Sequence, residues 1–327
     1  MLKTFFLNTL KILIAAALIY WLVSSGKLDF KLLAKLQNHP LSVCIAIILS
    51  ISNFVLVSYR WETILRARSQ IKIPILGLLK ITWIGQFFSS VLPGSVSGDL
   101  VKMLYVQKYD ENFSKKFVIA SILIDRVMGL SGLILLVGIS SMVFGKKIIG
   151  SAPAMIPLLN INFLLMLLVI LFFGIFFFSH QLVRKLLVTF QSKFLSTLFE
   201  KIIVLWDDLV LIKSQMLKAM ALSIVVQFVA VLIFWSLISP FVEGQMNFVE
   251  ALAFIPLGLM TLALPVAPSG LGVGHAIFQK LFELSGIING ASLFNLYFFV
   301  TLVVNIFGVI PYLLTKARNP ELKKEVN

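Results

Sequence analysis

The chain has 327 residues, of which 59% are hydrophobic and only 13% are charged, and its mean hydropathy is +1.01. A soluble globular domain carries about 25% charged residues, so this composition excludes a water-soluble fold. The net charge of +14 would point to nucleic acid in a soluble protein, but here the Lys and Arg residues gather in loops between apolar runs. We therefore expect a polytopic membrane protein without a nucleic-acid partner.

Apolar runs of sufficient length predict the transmembrane helices, because a span needs about 20 apolar residues. Six stretches meet this requirement, namely residues 5–24, 41–59, 127–144, 157–178, 216–238 and 293–314. The first is longer than the apolar core of a secretory signal peptide and lacks a clean Ala-x-Ala site, so we interpret it as a retained anchor.

Two further apolar runs, residues 75–92 and 248–264, end at the same short motif. The first motif reads LPGSVSG over 92–98 and the second reads LPVAPSG over 264–270. Both fit Leu-Pro, three residues and Ser-Gly. Hydrophobic segments interrupted by Pro and Gly at matching places in two halves are typical of a transporter's binding site. The alternative for each motif is a Pro kink in a plain spanning helix.

Lys and Arg in the loops predict the orientation of the spans. The loops after residues 59 and 178 and the C-terminal tail carry both, and the segment after residue 98 carries four Lys, so these loops and both termini are expected in the cytoplasm. The loop between residues 238 and 248 carries Glu243 and neither Lys nor Arg, so it is expected outside. The segment 75–98 then enters from the cytoplasm and returns there, whereas its second copy enters from outside and returns outside.

The predicted fold is an all-α polytopic membrane protein with six full transmembrane helices plus two re-entrant hairpins in an inverted repeat. Eight plain spans are the alternative. Residues 1–327 form a single transmembrane domain with repeat halves at about 41–145 and 216–315. The segment 181–214 alternates basic and apolar residues, so it is expected to lie as an amphipathic helix on the cytoplasmic leaflet between the halves.

Residues in and after the two motifs are candidates for holding a phosphate group. Helix N-termini after Gly98 and Gly272 would present free N–H groups and a partial positive charge to an anion. Close helix packing is the alternative role of the glycines. His275 is expected to be either a buried core residue or a proton-linked group. The candidates here are Pro93, Gly94, Gly98, Asp99, Lys102, Pro265, Ser269, Gly270, Gly272 and His275.

Charged residues near or inside the spans are the remaining candidates. Asp99 and Lys102 are three residues apart, which predicts an internal ion pair on one helix face, or else a solvated pair at the interface. Asp125 and Arg126 are adjacent and face different directions, so each needs another partner unless both lie at the membrane boundary. Arg60 suits a bidentate phosphate contact, and an ordinary aromatic-belt position is its alternative.

Four short motifs follow one another along the chain: YRW at 59–61, LPGSVSGDLVK at 92–102, DRVMGL at 125–130 and PSGLGVGH at 268–275. In this order they resemble the transmembrane flippase-like region of lysylphosphatidylglycerol synthases and its stand-alone relatives, over nearly the whole chain. The chain departs from the family pattern at Ser97 and Ser269, where Gly is frequent. We expect no soluble aminoacyl-transferase domain of the kind that the full synthases carry, so the resemblance is not expected to imply lysyl transfer.

The resemblance implies movement of a lipid, or a role in handling lipids or lipid-linked glycans. We expect binding and translocation of a phospholipid or a polyprenyl-phosphate-linked precursor across the inner (cytoplasmic) membrane. The alternatives are a membrane glycosyltransferase, or an accessory scaffold that works with envelope-biosynthesis enzymes. No nucleotide fingerprint, catalytic triad or metal-ligand spacing occurs in the sequence. We therefore expect no enzymatic activity, no metal and no cofactor.

Overall fold

The computed structural model describes residues 30–66, 73–91, 97–107, 115–178, 213–262 and 272–318, together with positions 20, 24 and 185. These residues form α-helices and three short 3₁₀ turns, and no strand occurs among them. The α-helices are α1 (Phe30–Lys35), α2 (Pro40–Leu65), α3 (Ile75–Val91), α4 (Ser97–Val106), α5 (Lys115–Ser151), α6 (Ile156–Phe178), α7 (Lys213–Ile238), α8 (Phe248–Leu262), α9 (Val273–Glu283), α10 (Gly290–Ile306) and α11 (Val309–Arg318).

Five helical stretches of the described chain are long and apolar enough to cross a membrane. They are Pro40–Leu65, Lys115–Ser151, Pro153–Phe178, Lys213–Phe241 and Gly290–Leu314. Each contains one of the spans predicted from hydropathy, which confirms an all-helical polytopic membrane protein. The predicted span 5–24 lies outside the described residues except at its positions 20 and 24, and most of the predicted amphipathic segment 181–214 lies outside them as well.

The outer surface of the bundle is apolar, as contact with lipid requires. Leu41 and Ile48 on α2 are 73% and 63% exposed, and large apolar side chains also cover the outside of α6. Several polar side chains are instead buried between the helices, including Arg60 and Asp125. This inside-out distribution is expected where the solvent is hydrocarbon and buried polar groups must find internal partners.

Local sequence signals account for where some of the helices begin. Pro40 occupies the first turn of α2, where its missing N–H costs no hydrogen bond. Before α8, the Asn247 side-chain oxygen accepts the N–H groups of Val249 and Glu250, and the Glu250 carboxylate accepts the N–H of Asn247. This reciprocal arrangement follows the logic of a capping box and fixes the start of the helix.

The same order of four helices occurs twice in the described chain, with α2, α3, α4 and α5 followed by α7, α8, α9 and α10. Equivalent helices begin at a nearly constant offset, at Pro40 and Lys213, Ile75 and Phe248, Ser97 and Val273, and Lys115 and Gly290. The packing repeats as well: α3 contacts α4 as α8 contacts α9, and α5 contacts α8 as α10 contacts α3. The same helix order thus recurs with similar neighbours, and we refer to residues 40–151 and 213–306 as the first and second half.

Helices α2 and α7 pack against each other in opposite directions. Arg60, near the end of α2, bonds Ser223 in the first half of α7. Ala46, near the start of α2, shares an apolar cluster with Ile233 and Leu237 near the end of α7. Small residues lie at equivalent places in this contact. Ser50 donates to the Ala46 carbonyl of its own helix, as Ser223 donates to the Ala219 carbonyl of its own.

Glycines form the seam between α3 and α4. A Cβ atom added to Gly98 would collide with the carbonyl oxygen of Gly85 and with the Ser89 hydroxyl. One added to Gly85 would approach the Lys102 side chain to 2.8 Å. The two helices therefore approach within backbone contact, and the Gly98 position is set by helix packing.

Replacing Gly98 with Val should destabilise the α3–α4 pair, because the branched side chain has no space. Overpacking of this kind costs about 1–3 kcal/mol, so the midpoint of thermal unfolding in detergent should fall. Gly145→Val on α5 is the matched control, since nothing lies within 4 Å of an added Cβ there. Equal unfolding midpoints for the two variants would contradict the close packing of α3 on α4.

Candidate functional site

A cavity of about 600 Å³ lies among helices of both halves. Charged residues of α2, α4 and α5 cluster at what we call its charged end, and residues of α7, α8 and α10, including Leu259 and Phe298, also line it. The wall formed by α2 runs from Ser50 to Trp61. At a rise of about 1.5 Å per residue this is a length of about 16 Å. The cavity wall therefore combines charged and apolar side chains.

A buried ion pair joins α2 to α5 at the charged end. Arg60 Nε donates to Asp125 Oδ1 at 2.7 Å, and Arg60 Nη2 donates to Asp125 Oδ2 at 3.1 Å. The two side chains are only 6% and 12% exposed. Arg60 Nη1 also donates to the Ser223 hydroxyl at 3.2 Å, which includes α7 in the same network. This is a bidentate, charge-assisted contact of the strong kind.

Small residues on α5 make room for the Arg60 guanidinium. A Cβ added to Gly129 would lie 3.4 Å from Arg60 Nη1, and one added to Gly132 would lie 2.9 Å from the backbone of Ser223. The Gly129 carbonyl also accepts a hydrogen bond from Gln227 of α7 at 2.9 Å. α5 and α7 therefore pack tightly beside the ion pair, and they exclude other partners from the guanidinium.

Asp99 pairs with Arg126, at 2.6 Å, with side chains 18% and 38% exposed. The predicted pair between Asp99 and Lys102 is therefore wrong, although both residues lie on the same short helix. The Arg126 guanidinium of α5 reaches the Asp99 carboxylate, while the Lys102 side chain lies over Gly85 and its ammonium group faces a Trp61 ring. As their adjacency requires, Asp125 and Arg126 each bind a partner on another helix.

Lys102 is held by an aromatic ring instead of a carboxylate. Its ammonium nitrogen lies 5.6 Å from the centroid of a Trp61 ring, which is within range of a cation–π contact. The Trp61 indole is buried and donates to the Ser121 hydroxyl at 3.2 Å, so the ring is fixed. Within the described chain Lys102 forms no ion pair.

The cavity wall therefore carries an excess of positive charge. Its cationic residues are Arg60, Lys102 and Arg126, and its acidic residues are Asp99 and Asp125. Two of the three cations are paired with the two carboxylates. One unit of positive charge remains, and it belongs to Lys102. The wall also holds amide side chains, among them Asn53, whose buried Oδ1 has no hydrogen-bond partner among the described residues.

The chain matches the family model of the lysylphosphatidylglycerol synthase TM region over residues 8–314. It belongs to this family. Neither the comparison with curated proteins nor the comparison with solved structures found a match. The family assignment agrees with the resemblance seen in the motifs, and residues Arg60, Asp99, Lys102, Asp125 and Arg126 of those motifs meet at the charged end of one cavity.

Two further predicted site residues of this lysylphosphatidylglycerol synthase TM region protein, Gly272 and His275, are described and do not join that cluster. Gly272 precedes α9 with a φ of +77°, a conformation that glycine adopts without strain. His275 is buried behind the cavity and does not line it. Five predicted residues lie outside the described residues, and they are Pro93, Gly94, Pro265, Ser269 and Gly270.

Equivalent positions in the second half of this family member are apolar. When the starts of equivalent helices are aligned, Arg60 corresponds to Ile233 and Asp125 to Val300, and both counterparts belong to one buried apolar cluster. Lys102 over Trp61 likewise corresponds to Phe278 stacked on Phe234, with ring centroids 4.8 Å apart.

The glycine contacts support this register. An added Cβ at Gly98 would meet Ser89, and one at its counterpart Gly274 would meet Leu262, which occupies the position on α8 that Ser89 occupies on α3. The same local architecture is thus built once with charges and once with apolar side chains. Helices in this order can therefore meet through apolar side chains as well as through charges.

Removing one partner of the Arg60–Asp125 ion pair should lower the stability of the protein more than replacing both partners with apolar residues. Asp125→Asn leaves the Arg60 guanidinium buried without a counter-charge, and such losses cost about 3–5 kcal/mol. The double variant Arg60→Ile with Asp125→Val copies the second half and should retain a thermal midpoint closer to the wild type. Thermal unfolding of the three purified proteins measures this. A double variant less stable than Asp125→Asn would show that the charges are structural.

Proposed function

We propose that this protein binds a phosphate-bearing lipid in the amphipathic cavity and translocates it across the cytoplasmic membrane without covalent chemistry. The lipid is a phospholipid or a polyprenyl-phosphate-linked precursor. The observation that carries the proposal is the uncompensated cation at the charged end, Lys102, beside the paired Arg126. A phosphate there would contact the Lys102 ammonium and the exposed part of the Arg126 guanidinium. Arg60, bound by Asp125, positions helices and is not the phosphate ligand.

The shape of the cavity supports a lipid over a free anion. A small anion needs only the charged end, whereas the cavity wall extends for about 16 Å along α2 and also includes apolar residues such as Leu259 and Phe298. Apolar surface of this kind suits an acyl or prenyl chain, since burial of each CH₂ group contributes about 0.8 kcal/mol. Membership of a lipid-related membrane family is consistent with this ligand class.

Two re-entrant hairpins in an inverted repeat provide a route for translocation. α4 has 10 residues and α9 has 11, so each is about 15 Å long, or half of a hydrocarbon core of about 30 Å. Their lengths favour the hairpin arrangement over eight plain spans. The antiparallel contact of α2 with α7, which are equivalent helices, is the arrangement that a two-fold axis in the membrane plane would produce. Such repeats place their site at the interface between the halves.

Loss of the Lys102 charge should weaken binding of anionic lipid. In Lys102→Met the side chain keeps its length but loses the ammonium group. A hydrogen bond to a charged group is worth about 1.5–3 kcal/mol, so phosphatidylglycerol affinity should fall about 10- to 100-fold. Native mass spectrometry with graded lipid measures this, and diacylglycerol, which lacks phosphate, should bind equally to both proteins.

Lys280→Met is the matched control for that experiment. Lys280 lies on α9 with its side chain 72% exposed, so its loss should leave affinity unchanged. Polyprenyl phosphate added as a competitor distinguishes the two lipid classes. Equal phosphatidylglycerol affinity in Lys102→Met and the wild type would contradict the phosphate site. Reconstituted vesicles with a fluorescent phosphatidylglycerol then test translocation itself.

Sided labelling of single cysteines tests the membrane arrangement. Cys44 is the one cysteine of the chain, so Cys44→Ser provides a clean background. A cysteine at the exposed Lys115 position should react with an impermeant reagent only from the cytoplasmic side, because the α3–α4 hairpin returns there. A cysteine at the exposed Glu243 position should react only from outside. Labelling of position 115 from outside would rule out the re-entrant hairpin.

A further inference from the structure

We propose that His275 is a proton-binding site. It is enclosed in the conformation described here, and it gains access to water when the second half forms a cavity like the one beside the first half. Protonation of the ring stands on the geometry of His275 alone. Its consequence for transport rests on the translocation proposed above.

The environment of His275 leaves one ring nitrogen available for a proton. The residue lies in the first turn of α9 and is 1% exposed. Its Nε2 lies 3.3 Å from Asn295 Oδ1. Because a carbonyl oxygen only accepts, Nε2 carries the hydrogen, and Nδ1 of the neutral ring is an acceptor. That Nδ1 is buried and has no hydrogen-bond partner among the described residues.

A purely structural role explains this arrangement poorly. A buried acceptor without a partner costs about 1–3 kcal/mol, and the two rings packed edge-to-face on the imidazole, Phe294 and Phe298, would pack equally well on an apolar side chain. The unsatisfied nitrogen therefore points to a function that the conformation described here does not use.

The counterpart of His275 in the first half is Asp99, because α4 and α9 are equivalent helices. Each residue follows a glycine that packs tightly on a neighbouring helix, Gly98 in one half and Gly274 in the other. Asp99 lines the cavity and is paired with Arg126, whereas His275 is enclosed. At this position, therefore, the first half has an ionisable group on the cavity wall and the second half has a buried one.

Exchange of conformations between the halves of an inverted repeat opens a cavity toward the opposite side. His275 would then stand on the wall of that cavity, as Asp99 does now. Hydronium in the water there transfers a proton to Nδ1 and leaves as water, which gives the imidazolium, while Nε2 keeps its hydrogen. A buried imidazolium is disfavoured in a low-dielectric surrounding, so return to the conformation described here requires release of that proton. One proton is bound and released in each cycle.

No other charge in the described chain neutralises this ring. On α9 itself Lys280 bonds Glu283, which also accepts from Gln279. Glu250 of α8 is engaged by Ser151 and Asn247. On α10 the Tyr297 ring stacks on Phe234, and on α7 the ionisable groups are Lys213 and Lys218 in its first two turns. Among the ionisable groups of α7, α8, α9 and α10, His275 is therefore the one that the proposed second cavity would reach.

The histidine content of the chain allows a direct measurement. There are three histidines, so His39→Gln with His180→Gln leaves His275 as the sole one. In ¹⁵N-histidine NMR of this variant in lipid nanodiscs, the neutral ring with hydrogen on Nε2 should dominate at about pH 8. An imidazolium population should grow toward about pH 5. A ring that remains neutral over this whole range would overturn the proposal.

Transport provides the second measurement. Translocation of fluorescent phosphatidylglycerol by the wild type and by His39→Gln should depend on pH, because His39 lies outside the cavity against Phe241. His275→Gln should keep phosphatidylglycerol binding and lose that pH dependence. An unchanged pH profile in His275→Gln would refute the coupling. If the wild type moves no lipid at any pH, translocation itself fails, and the NMR result alone decides proton binding.

Discussion

The bidentate contact between Arg60 and Asp125 is the constraint on which the arrangement of the first half depends. Taking two such charges out of water costs several kcal/mol for each ion, and only good geometry offsets this cost. Here the guanidinium meets both carboxylate oxygens and the Ser223 hydroxyl. Gly132 allows that geometry, because a Cβ there would meet the Ser223 backbone at 2.9 Å and push α5 away from α7. Since Arg126 follows Asp125, the same helix also brings a guanidinium to Asp99 and so links α4 to the network.

The second half provides an internal comparison for these charges. Its corresponding helices meet through Phe234, Phe278 and Phe294, which stack at centroid distances of 4.8 to 6.4 Å. The same helix order and the same glycine contacts are therefore compatible with an apolar seam. Hydrophobic replacement of a buried ion pair is often neutral or stabilising. Retention of five charged side chains around one cavity is accordingly better explained by a ligand than by the stability of the bundle.

Hydropathy was sufficient to predict the long helices, because about 20 consecutive apolar residues match the thickness of the hydrocarbon core. Helical spacing was also sufficient to predict that Asp125 and Arg126 need separate partners. Helical spacing failed for Asp99 and Lys102. Three-residue spacing shows that the two side chains are close, but it cannot show that Arg126 of another helix binds Asp99 instead. The partners Ser223, Trp61 and Gln227 were missed for the same reason. Their contacts join α2, α5 and α7 over long sequence separations, and only the packing of small residues brings them together.

The contact between Lys102 and Trp61 has a consequence for how long a ligand stays bound. A cation–π contact contributes about 0.5–2 kcal/mol, less than the cost of breaking a buried ion pair. A phosphate that draws the Lys102 ammonium away from the indole therefore costs little interaction energy, and the cation–π contact forms again when the phosphate leaves. Had Lys102 been bound to a carboxylate, binding would have required separation of an ion pair. Had it been left unpartnered in hydrocarbon, it would have retained the phosphate. The indole would thus favour rapid exchange of a bound phosphate over tight retention, as the proposed translocation requires.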